Sequence, residues 1–306
     1  MLDGLSLGLT AAFFGHVGWS AWVLGGEGFL KECLRSPLLG GAGEGLREEG
    51  AGLPLFTYEV GHFLPGVVLQ ILGQTLFYVL TSEWQHVPSG EREDWRALLT
   101  TVVTLAGSAP LLAPLHKMAY ESRWSQLYFR LEEQPLWWAG ASLVLASALI
   151  ETFFWWVHWL AHRSAWFYDN IHSVHHSFVP STASCASAFH PLDITLLTLG
   201  SFAVTMAFPI HHLIHSGYLL FCLFWTLLVH SGFRARLPWL LSRVFNDPNM
   251  HCLHHDYGRR GVNLGSLVCV WDHVCVVDHV PPFLLHFFIY SPFQNFKKSV
   301  DGNPSN

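Results

Sequence analysis

Three groups of histidines have the spacing that metal binding requires. The middle of the chain carries HxxxH and then HxxHH, and a second HxxHH follows further along. The eight residues are His158, His162, His172, His175, His176, His251, His254 and His255. Residues three or four apart lie on one face of an α-helix, so each group is expected to aim its imidazoles at one point. Imidazole binds iron, zinc, copper or nickel, and this many ligands suit two ions.

Two isolated histidines, His190 and His230, lie near these groups in the sequence. Two octahedral metals need up to about twelve ligands between them, so both residues are candidates that still leave positions for oxygen or water. His211, His212 and His215 form a further HHxxH pattern. We exclude this pattern because it falls at the far turn of a predicted membrane hairpin, about 30 Å from the other groups.

Two other functional signatures are absent from the sequence. It contains no HExxH pattern and no P-loop pattern, which argues against a zinc protease and a nucleotide-binding domain. Adjacent pairs such as His175 and His176 do not suit bis-histidine haem binding, which needs one histidine on each of two facing helices.

The composition indicates an integral membrane protein. Of the 306 residues, 51% are hydrophobic and only 12% charged, and there are 14 Trp and 23 Phe. Several apolar runs reach the roughly 20 residues that cross a bilayer. The net charge of −6 gives no reason to expect a nucleic-acid partner. The six cysteines have no CxxC spacing and are interpreted as reduced thiols.

The apolar segments can be taken in chain order. Residues 5–26 are interpreted as a first membrane anchor, residues 25–54 as a Gly-rich loop, and residues 62–81 as a second span. Residues 98–118 contain Pro110 and Pro114 and are either a kinked span or a re-entrant segment. Residues 120–134 are amphipathic and are expected to lie along the membrane interface. Residues 136–159 are the clearest span, and residues 194–229 form a helical hairpin that turns near residues 209–217.

These segments predict an all-α integral membrane protein with about four to six membrane helices. A histidine-rich helical cap on the cytosolic face would hold the di-metal centre. The orientation follows from basic residues near the histidines, which favour the cytoplasmic side: Arg163, Arg234, Arg236, Arg243, Arg259 and Arg260. The predicted organisation is an N-terminal anchor region (1–135), a catalytic domain (136–290) and a polar tail (291–306).

Local signals predict where the histidine-bearing helices begin. Asp247 followed by Pro248 is a helix start just before the last group, and Asp169 or Asn170 is expected to cap the helix of the middle group. Pro180 is expected to end that region. Glu151 lies inside the clearest span, where an acid is costly and needs a partner.

Around the histidines, four stretches resemble the membrane fatty acid hydroxylase/sterol desaturase superfamily. They are HRSAWFYDNIHSVHHSF, SAFHPLD, FWTLLVHSG and NLGSLVCVWDH. The second is similar to an element of sterol C5-desaturases and, more loosely, of sterol C4-methyl oxidases. The resemblance extends from about Leu136 to Val277. His230-Ser231-Gly232 and the residues after Asp272 depart from the C5-desaturase pattern.

The resemblance implies a di-iron, O2-dependent oxidase of the endoplasmic reticulum that acts on a sterol or another lipid from the bilayer. Electrons would come from NAD(P)H through cytochrome b5 and its reductase. It also implies that the eight grouped histidines and His230 are metal ligands, with His190 a ligand or just outside. Asp193 and Asp272 would each orient a ligand by accepting its other N–H.

Several alternatives remain open at this stage. A fatty-acyl or sphingolipid hydroxylase would use the same scaffold, and fold-level analogy is a weak guide to substrate. A histidine-rich zinc transporter would be expected to carry its ligands within spans or in irregular loops. A non-catalytic relative is a further alternative, although the sequence retains every histidine of the three groups. The sequence does not distinguish hydroxylation from desaturation.

Overall fold

The computed structural model describes residues 71–77, 79, 94–121, 124–232, 237–238, 241–258 and 261–275. The predicted first anchor, the Gly-rich loop and the polar tail lie outside these residues. So do Arg234, Arg236, Arg259 and Arg260 and most of the predicted second span, of which residues 71–77 are helical.

Four long helices run between two opposite faces in the described part of the chain. They are α1 (Asp94–Glu121), α2 (Leu136–Arg163), α3 (Pro191–Ala207) and α4 (His212–His230). α1, α2 and α4 are long and apolar enough to cross a membrane, and α3 is a shorter apolar helix. The predicted helical membrane architecture is confirmed. The total number of spans stays a prediction because the N-terminal segments are not described.

α1 resolves the ambiguity of residues 98–118, because it is one continuous helix that contains both Pro110 and Pro114. It packs closely on α3: a Cβ at Gly107 would lie 2.6 Å from Pro191 Cγ. α3 packs as closely on α2, since a Cβ at Gly200 would lie 2.9 Å from Phe153 Cβ. Small residues permit this approach between membrane helices. α1 thus packs against the predicted catalytic region, although the sequence assigned it to the anchor region.

Residues 120–134, whose amphipathic pattern suggested a segment along the membrane interface, do not continue as one helix. α1 ends at Glu121, and the segment then forms strand β1 (Leu127–Tyr128) and a 3₁₀ turn (Leu131–Glu133). β1 pairs in parallel with β2 (Ile210–His211). Leu127 and Phe129 are buried in a core with residues of α2, α3 and α4. Non-local strand pairing and burial therefore outweigh the amphipathic pattern.

The hairpin formed by α3 and α4 was predicted, but its turn is tighter. α4 begins at His212, so the turn occupies residues 208–211 and residues 212–217 are helical. His211 caps α4 by accepting from the Leu213 N–H at 3.2 Å. His211, His212 and His215 lie at the start of α4, whereas His230 ends it, about 27 Å away along a helix of this length. The separation of these histidines from the other groups is therefore as expected.

Four of the five exposed tryptophans among the described residues lie at the two ends of the bundle. Trp95 and Trp166 lie at the end that carries the grouped histidines, and Trp124 and Trp137 lie at the opposite end. Tryptophan is enriched where a membrane meets water. This distribution suits a bundle whose two ends lie at the two membrane surfaces.

The segment after α2 does not begin at the predicted cap. Ser164, not Asp169 or Asn170, starts the short helix Ala165–Phe167 by accepting from the Phe167 N–H at 3.3 Å. A π-helical turn (Tyr168–His172) and the helix Ser173–His176 follow. Asp169 lies inside the π turn because the chain stays helical from residue 165. The region ends before Pro180, as predicted.

The last helices are α5 (Pro248–Tyr257) and α6 (Val270–Val274). The predicted cap of α5 is present: the Asp247 carboxylate accepts from the Asn249 and Met250 N–H groups, each at 2.9 Å. Residues 261–269, which precede α6, form an irregular loop that lies against α2.

Candidate metal centre

The ends of four helical elements bring nine histidines into one buried volume. The last turns of α2 carry His158 and His162, the turn after α2 carries His172, His175 and His176, and α4 ends at His230. α5 carries the remaining three. All nine side chains are buried, and two of them, His172 and His254, have no exposed surface.

The nine histidines form two groups, and within each group the candidate ligand atoms lie within 4.8 Å of one another. The five-histidine group comprises His158, His162, His172, His176 and His254. The four-histidine group comprises His175, His230, His251 and His255. The structure therefore brings together every predicted ligand except His190, in an arrangement with room for two ions.

The HxxHH patterns do not each aim at one point, contrary to the sequence expectation. In the first, His172 and His176 join the five-histidine group while His175 joins the four-histidine group. In the second, His251 and His255 stay together and His254 crosses to the other group. Residues four apart share a helix face, but neighbouring residues differ by about 100° around the axis. Each pattern therefore spans both groups.

Backbone and side-chain acceptors fix the orientation of five of the rings. His158 Nδ1 donates to the Leu264 carbonyl at 2.8 Å and His254 Nδ1 to the Val262 carbonyl at 2.7 Å. His172 Nδ1 contacts Asp193 Oδ2 at 2.7 Å. His175 and His230 donate from Nδ1 to the carbonyls of Ala188 and Thr226, at 3.2 and 2.7 Å. In a neutral imidazole, this leaves the lone pair on Nε2.

The contact between His175 and His230 tests whether a metal fits. Their Nε2 atoms are 3.2 Å apart. Both rings donate from Nδ1 to carbonyl oxygens, which only accept, so in the neutral rings both Nε2 atoms carry lone pairs. Two lone pairs that face each other at this distance repel and form no hydrogen bond. A cation between them removes the conflict, so the donor set fits a metal.

Other nitrogen separations in the two groups agree with this. Nε2–Nε2 distances are 3.3 Å for His158–His162, 3.1 Å for His162–His172, and 2.9 and 3.2 Å from His230 to His251 and His255. Nitrogens bound to one ion at about 2.0–2.1 Å lie about 2.8–3.4 Å apart for right-angled to tetrahedral arrangements. Among the buried ring nitrogens of the two groups, both nitrogens of His176 and Nε2 of His254 also lack a hydrogen-bond partner.

Burial keeps these imidazoles neutral, which is the form that binds metal. Burial and, second, neighbouring imidazoles hold the pKa of His175, His176, His251 and His255 well below 6.5. Burial, with smaller contributions from His172 and His230, lowers the pKa of His254 to about 3.

The lowered pKa values predict that the metal-free protein loses stability in acid. Below about pH 6.5 the unfolded chain binds protons that the folded core excludes. Stability therefore decreases as the pH is lowered, until the pH reaches the pKa of the folded state, about 3 for His254. Each such imidazole contributes a slope of about 1.4 kcal/mol per pH unit. Thermal unfolding of metal-free protein between pH 7.5 and 5 tests this. His254→Asn should flatten the dependence, and a pH-independent midpoint would contradict the prediction.

Asp193 contacts one candidate ligand, His172, and its role in orienting that ligand stays a prediction. Its carboxylate and His172 Nδ1 form a contact of 2.7 Å in which neither side chain has exposed surface. The SAFHPLD stretch also serves His175: the Ala188 carbonyl accepts its N–H, and the Phe189 ring stacks on it with centroids 3.9 Å apart. Thr104 of α1 bonds to both the N–H and the carbonyl of Phe189. This stretch therefore orients ligands of both groups.

Changing Asp193 to alanine is expected to weaken metal binding by about 10- to 100-fold, the usual effect of removing a group that orients a ligand. The loss should affect the ion of the five-histidine group, because His172 belongs to it. Asp193→Asn keeps an acceptor oxygen and should lose less. Titration of the purified protein with Co2+ measures both variants. Equal affinities of Asp193→Ala and the wild type would contradict this role.

Two other predicted residues have different positions from those expected. His190 lies in neither group and caps α3, where its Nδ1 accepts from the Leu192 N–H at 3.2 Å. Asp272 accepts from Trp155 Nε1 and from the N–H groups of Leu264 and Gly265, at 2.9, 2.9 and 3.0 Å. It therefore reaches His158 only through Leu264, and its role as a direct acceptor for an imidazole is wrong.

Some groups that orient the ligands left little trace in the sequence. The carbonyls of Thr226, Val262 and Leu264 belong to the backbone, which any residue supplies. Gly261 is an exception, because its φ of +62° and its closeness to His162, 2.8 Å from an added Cβ to His162 Cβ, both require glycine. A glycine a few residues after HxxHH was a usable signal.

Comparisons with known proteins agree with this arrangement. A family model described as fatty acid hydroxylase matches residues 143–276. The lathosterol oxidase of Mus musculus is 30% identical over 157 residues, which cover 49% of this chain and 50% of that protein. The Delta(7)-sterol 5(6)-desaturase of Gibberella zeae is 30% identical over 133 residues, 44% of this chain and 41% of that protein.

A longer match is the probable Delta(7)-sterol 5(6)-desaturase of Neurospora crassa, 24% identical over 220 residues, 68% of this chain and 61% of that protein. The chain spans about half the length of the first two curated relatives. No solved structure matches the chain significantly.

Proposed function

Because a family model described as fatty acid hydroxylase matches residues 143–276, we propose that this chain belongs to that family and is an O2-dependent di-iron oxidoreductase that acts on a membrane lipid. The observation that carries the proposal is the opposition of the His175 and His230 lone pairs at 3.2 Å. Buried groups of this kind need a cation to be stable together. Two such groups side by side support a centre with two ions.

The chain's own residues would bind the ions through nine neutral nitrogens, five in one group and four in the other. Asp193 would hold the tautomer and orientation of His172, and the Ala188 and Thr226 carbonyls would do the same for His175 and His230. Burial of all nine imidazoles keeps bulk water away from them. Bound iron would supply the O2-dependent removal of hydrogen from an unactivated C–H bond.

A sterol is the substrate class that we propose. The supporting observation is that the relatives reported above are named for sterol oxidation or desaturation. The apolar surfaces of α1, α2 and α4 suit a substrate that comes from the bilayer. The family model's own description favours a second candidate, a fatty-acyl or sphingolipid hydroxylase on the same scaffold. Both reactions would begin with removal of hydrogen from a lipid carbon.

We further propose that the enzyme resides in the endoplasmic reticulum membrane with its histidines facing the cytosol. Arg163 ends α2 at the same end of the bundle as the metal-binding groups, and positive residues favour the cytoplasmic side. In that orientation, the centre would receive electrons from NAD(P)H through cytochrome b5 and its reductase. A zinc transporter is less well supported, because in the described part of the chain the candidate ligands form two compact groups at the ends of helices.

Expression in yeast that lacks its own sterol C5-desaturase tests the proposal. Total sterols are analysed by mass spectrometry, and metal content is measured on the purified protein. A new Δ5 double bond that disappears in His175→Ala would support sterol desaturation. Oxidised C4-methyl sterols would still support a sterol substrate, whereas hydroxylated acyl chains would favour the second candidate. Purified protein that binds no iron, or zinc alone after loading with iron, would contradict the di-iron proposal.

A further inference from the structure

We propose that Glu151, which is not a candidate ligand, is a positioning residue for the five-histidine group. The inference rests on the metal centre of the proposed function. Glu151 lies inside α2, seven residues before His158, and is buried. It acts by holding the loop of residues 261–268 against α2, and that loop in turn orients two ligands.

The carboxylate of Glu151 accepts three hydrogen bonds from two parts of the fold. Oε2 accepts from the backbone N–H groups of Leu267 and Val268, at 3.0 and 3.2 Å. Oε1 accepts from the hydroxyl of Tyr218 in α4 at 3.1 Å. A single buried carboxylate therefore joins α2, α4 and the loop.

The loop lies along one face of α2 and meets successive turns of that helix. Gly261 packs on His162, and the Leu264 carbonyl accepts from His158 Nδ1. Further along, Leu267 and Val268 meet Glu151. The three α2 residues share a helix face, since they are spaced by seven and four. Glu151 lies at the end of this contact that is further from the histidine groups, about 10 Å along the helix axis from His158.

The loop orients ligands of the five-histidine group in particular. Its Leu264 and Val262 carbonyls accept from His158 and His254, at 2.8 and 2.7 Å. In the four-histidine group, His175 and His230 instead donate to Ala188 and Thr226, which lie outside the loop. A shift of the loop should therefore disturb one group more than the other.

The physical reason for a carboxylate at this position is the irregular backbone of the loop. Backbone N–H groups buried away from water need an acceptor, and at membrane depth the protein must supply it. Asp272 supplies it for Leu264 and Gly265, and Glu151 supplies it for Leu267 and Val268. An apolar residue at 151 would leave two N–H groups without an acceptor and release the end of the loop that contains Leu267 and Val268.

Co2+ titration of the full-length protein in detergent tests the proposal, with visible absorption and bound cobalt per chain as readouts. The variants are Glu151→Leu, Glu151→Gln and, as a matched control, Ser142→Ala. Ser142 is also buried in α2, but it bonds only within its own helix, to the Ala139 carbonyl. Thermal unfolding of the metal-free proteins is measured in parallel.

The wild type and Ser142→Ala should bind two Co2+ ions. Glu151→Leu should keep one ion and bind the other about 10- to 100-fold more weakly. Glu151→Gln, which keeps an oxygen for the two N–H groups, should restore the second ion. Adding His176→Ala to Glu151→Leu should abolish only the weakened ion, whereas adding His175→Ala should remove the tightly bound one, because these histidines belong to different groups.

Three results would overturn the inference: wild-type binding by Glu151→Leu, equal weakening of both ions, or no recovery in Glu151→Gln. If Glu151→Leu does not yield folded protein, Glu151→Asp replaces it, since its carboxylate is retracted by one methylene, and the same selective loss is required. A folded wild type that binds no Co2+ would instead overturn the metal centre itself. The two failures are therefore distinguishable.

Discussion

Alanine at His175 or at His176 is expected to remove a different metal ion in each case and to abolish lipid oxidation in both. The two residues are adjacent, yet His175 belongs to the four-histidine group and His176 to the five-histidine group. Oxidation would need both ions, so each variant should lose at least about 100-fold in product formation, more than the 10- to 100-fold typical of groups that only orient a ligand. Product analysis and metal content measure the two effects.

The two variants are distinguished by the histidine group in which a Co2+ ion remains. Each single variant should retain about one Co2+ per chain, with different absorption spectra because the remaining ligand sets differ. His190→Ala is the matched control, since His190 lies close in sequence but in neither group. Identical spectra for the two single variants would contradict the assignment of neighbouring histidines to separate ions.

The second large effect is expected from Gly265→Ala. A Cβ at this position would overlap the Val268 carbonyl oxygen and approach Cys269 Cα at 3.1 Å. Backbone atoms cannot rotate away as a side chain can, so the loop would have to open. The N–H and carbonyl of Gly265 also bond to Asp272 and Asn246, at 3.0 and 2.6 Å. Loss of both bonds and of local packing should destabilise the protein by several kcal/mol, on the order of 3–5.

Gly140→Ala is the matched control for this change. Gly140 lies in α2 with nothing within 4 Å of an added Cβ. Alanine in a helix interior is favoured over glycine by about 1 kcal/mol, so this variant should be neutral or slightly more stable. Thermal unfolding and expression yield in detergent compare the two variants. A Gly265→Ala protein that unfolds at the wild-type temperature would show that the loop tolerates a side chain there.

Local patterns account for the parts of the site that the sequence predicted. The spacing of His251, His254 and His255, and Asp247 before Pro248, concern residues within two helical turns, where geometry follows directly from periodicity. The hairpin of α3 and α4 was predicted from the length of one apolar stretch, which is also a local property of the sequence. These features required no knowledge of distant contacts.

The missed features depend on contacts between residues far apart in the chain. β1 pairs with β2 across more than eighty residues, and no local pattern in residues 120–134 indicates that partner. The partners of Glu151 were also hidden, because two of them are backbone N–H groups that have no sequence signature. Each HxxHH pattern is divided between the two groups according to which neighbouring helix each ring faces. The spacing of the histidines alone does not determine this.

Division of each HxxHH pattern between two ions links their occupancies. His175 and His176, and likewise His254 and His255, are joined by one peptide unit, which fixes their Cα atoms about 3.8 Å apart. An ion that orders one group therefore restricts the backbone of the other and reduces the conformational entropy that the second ion must overcome. One ion should accordingly bind more tightly to a chain that already holds the other than to a variant in which the other group has lost a ligand.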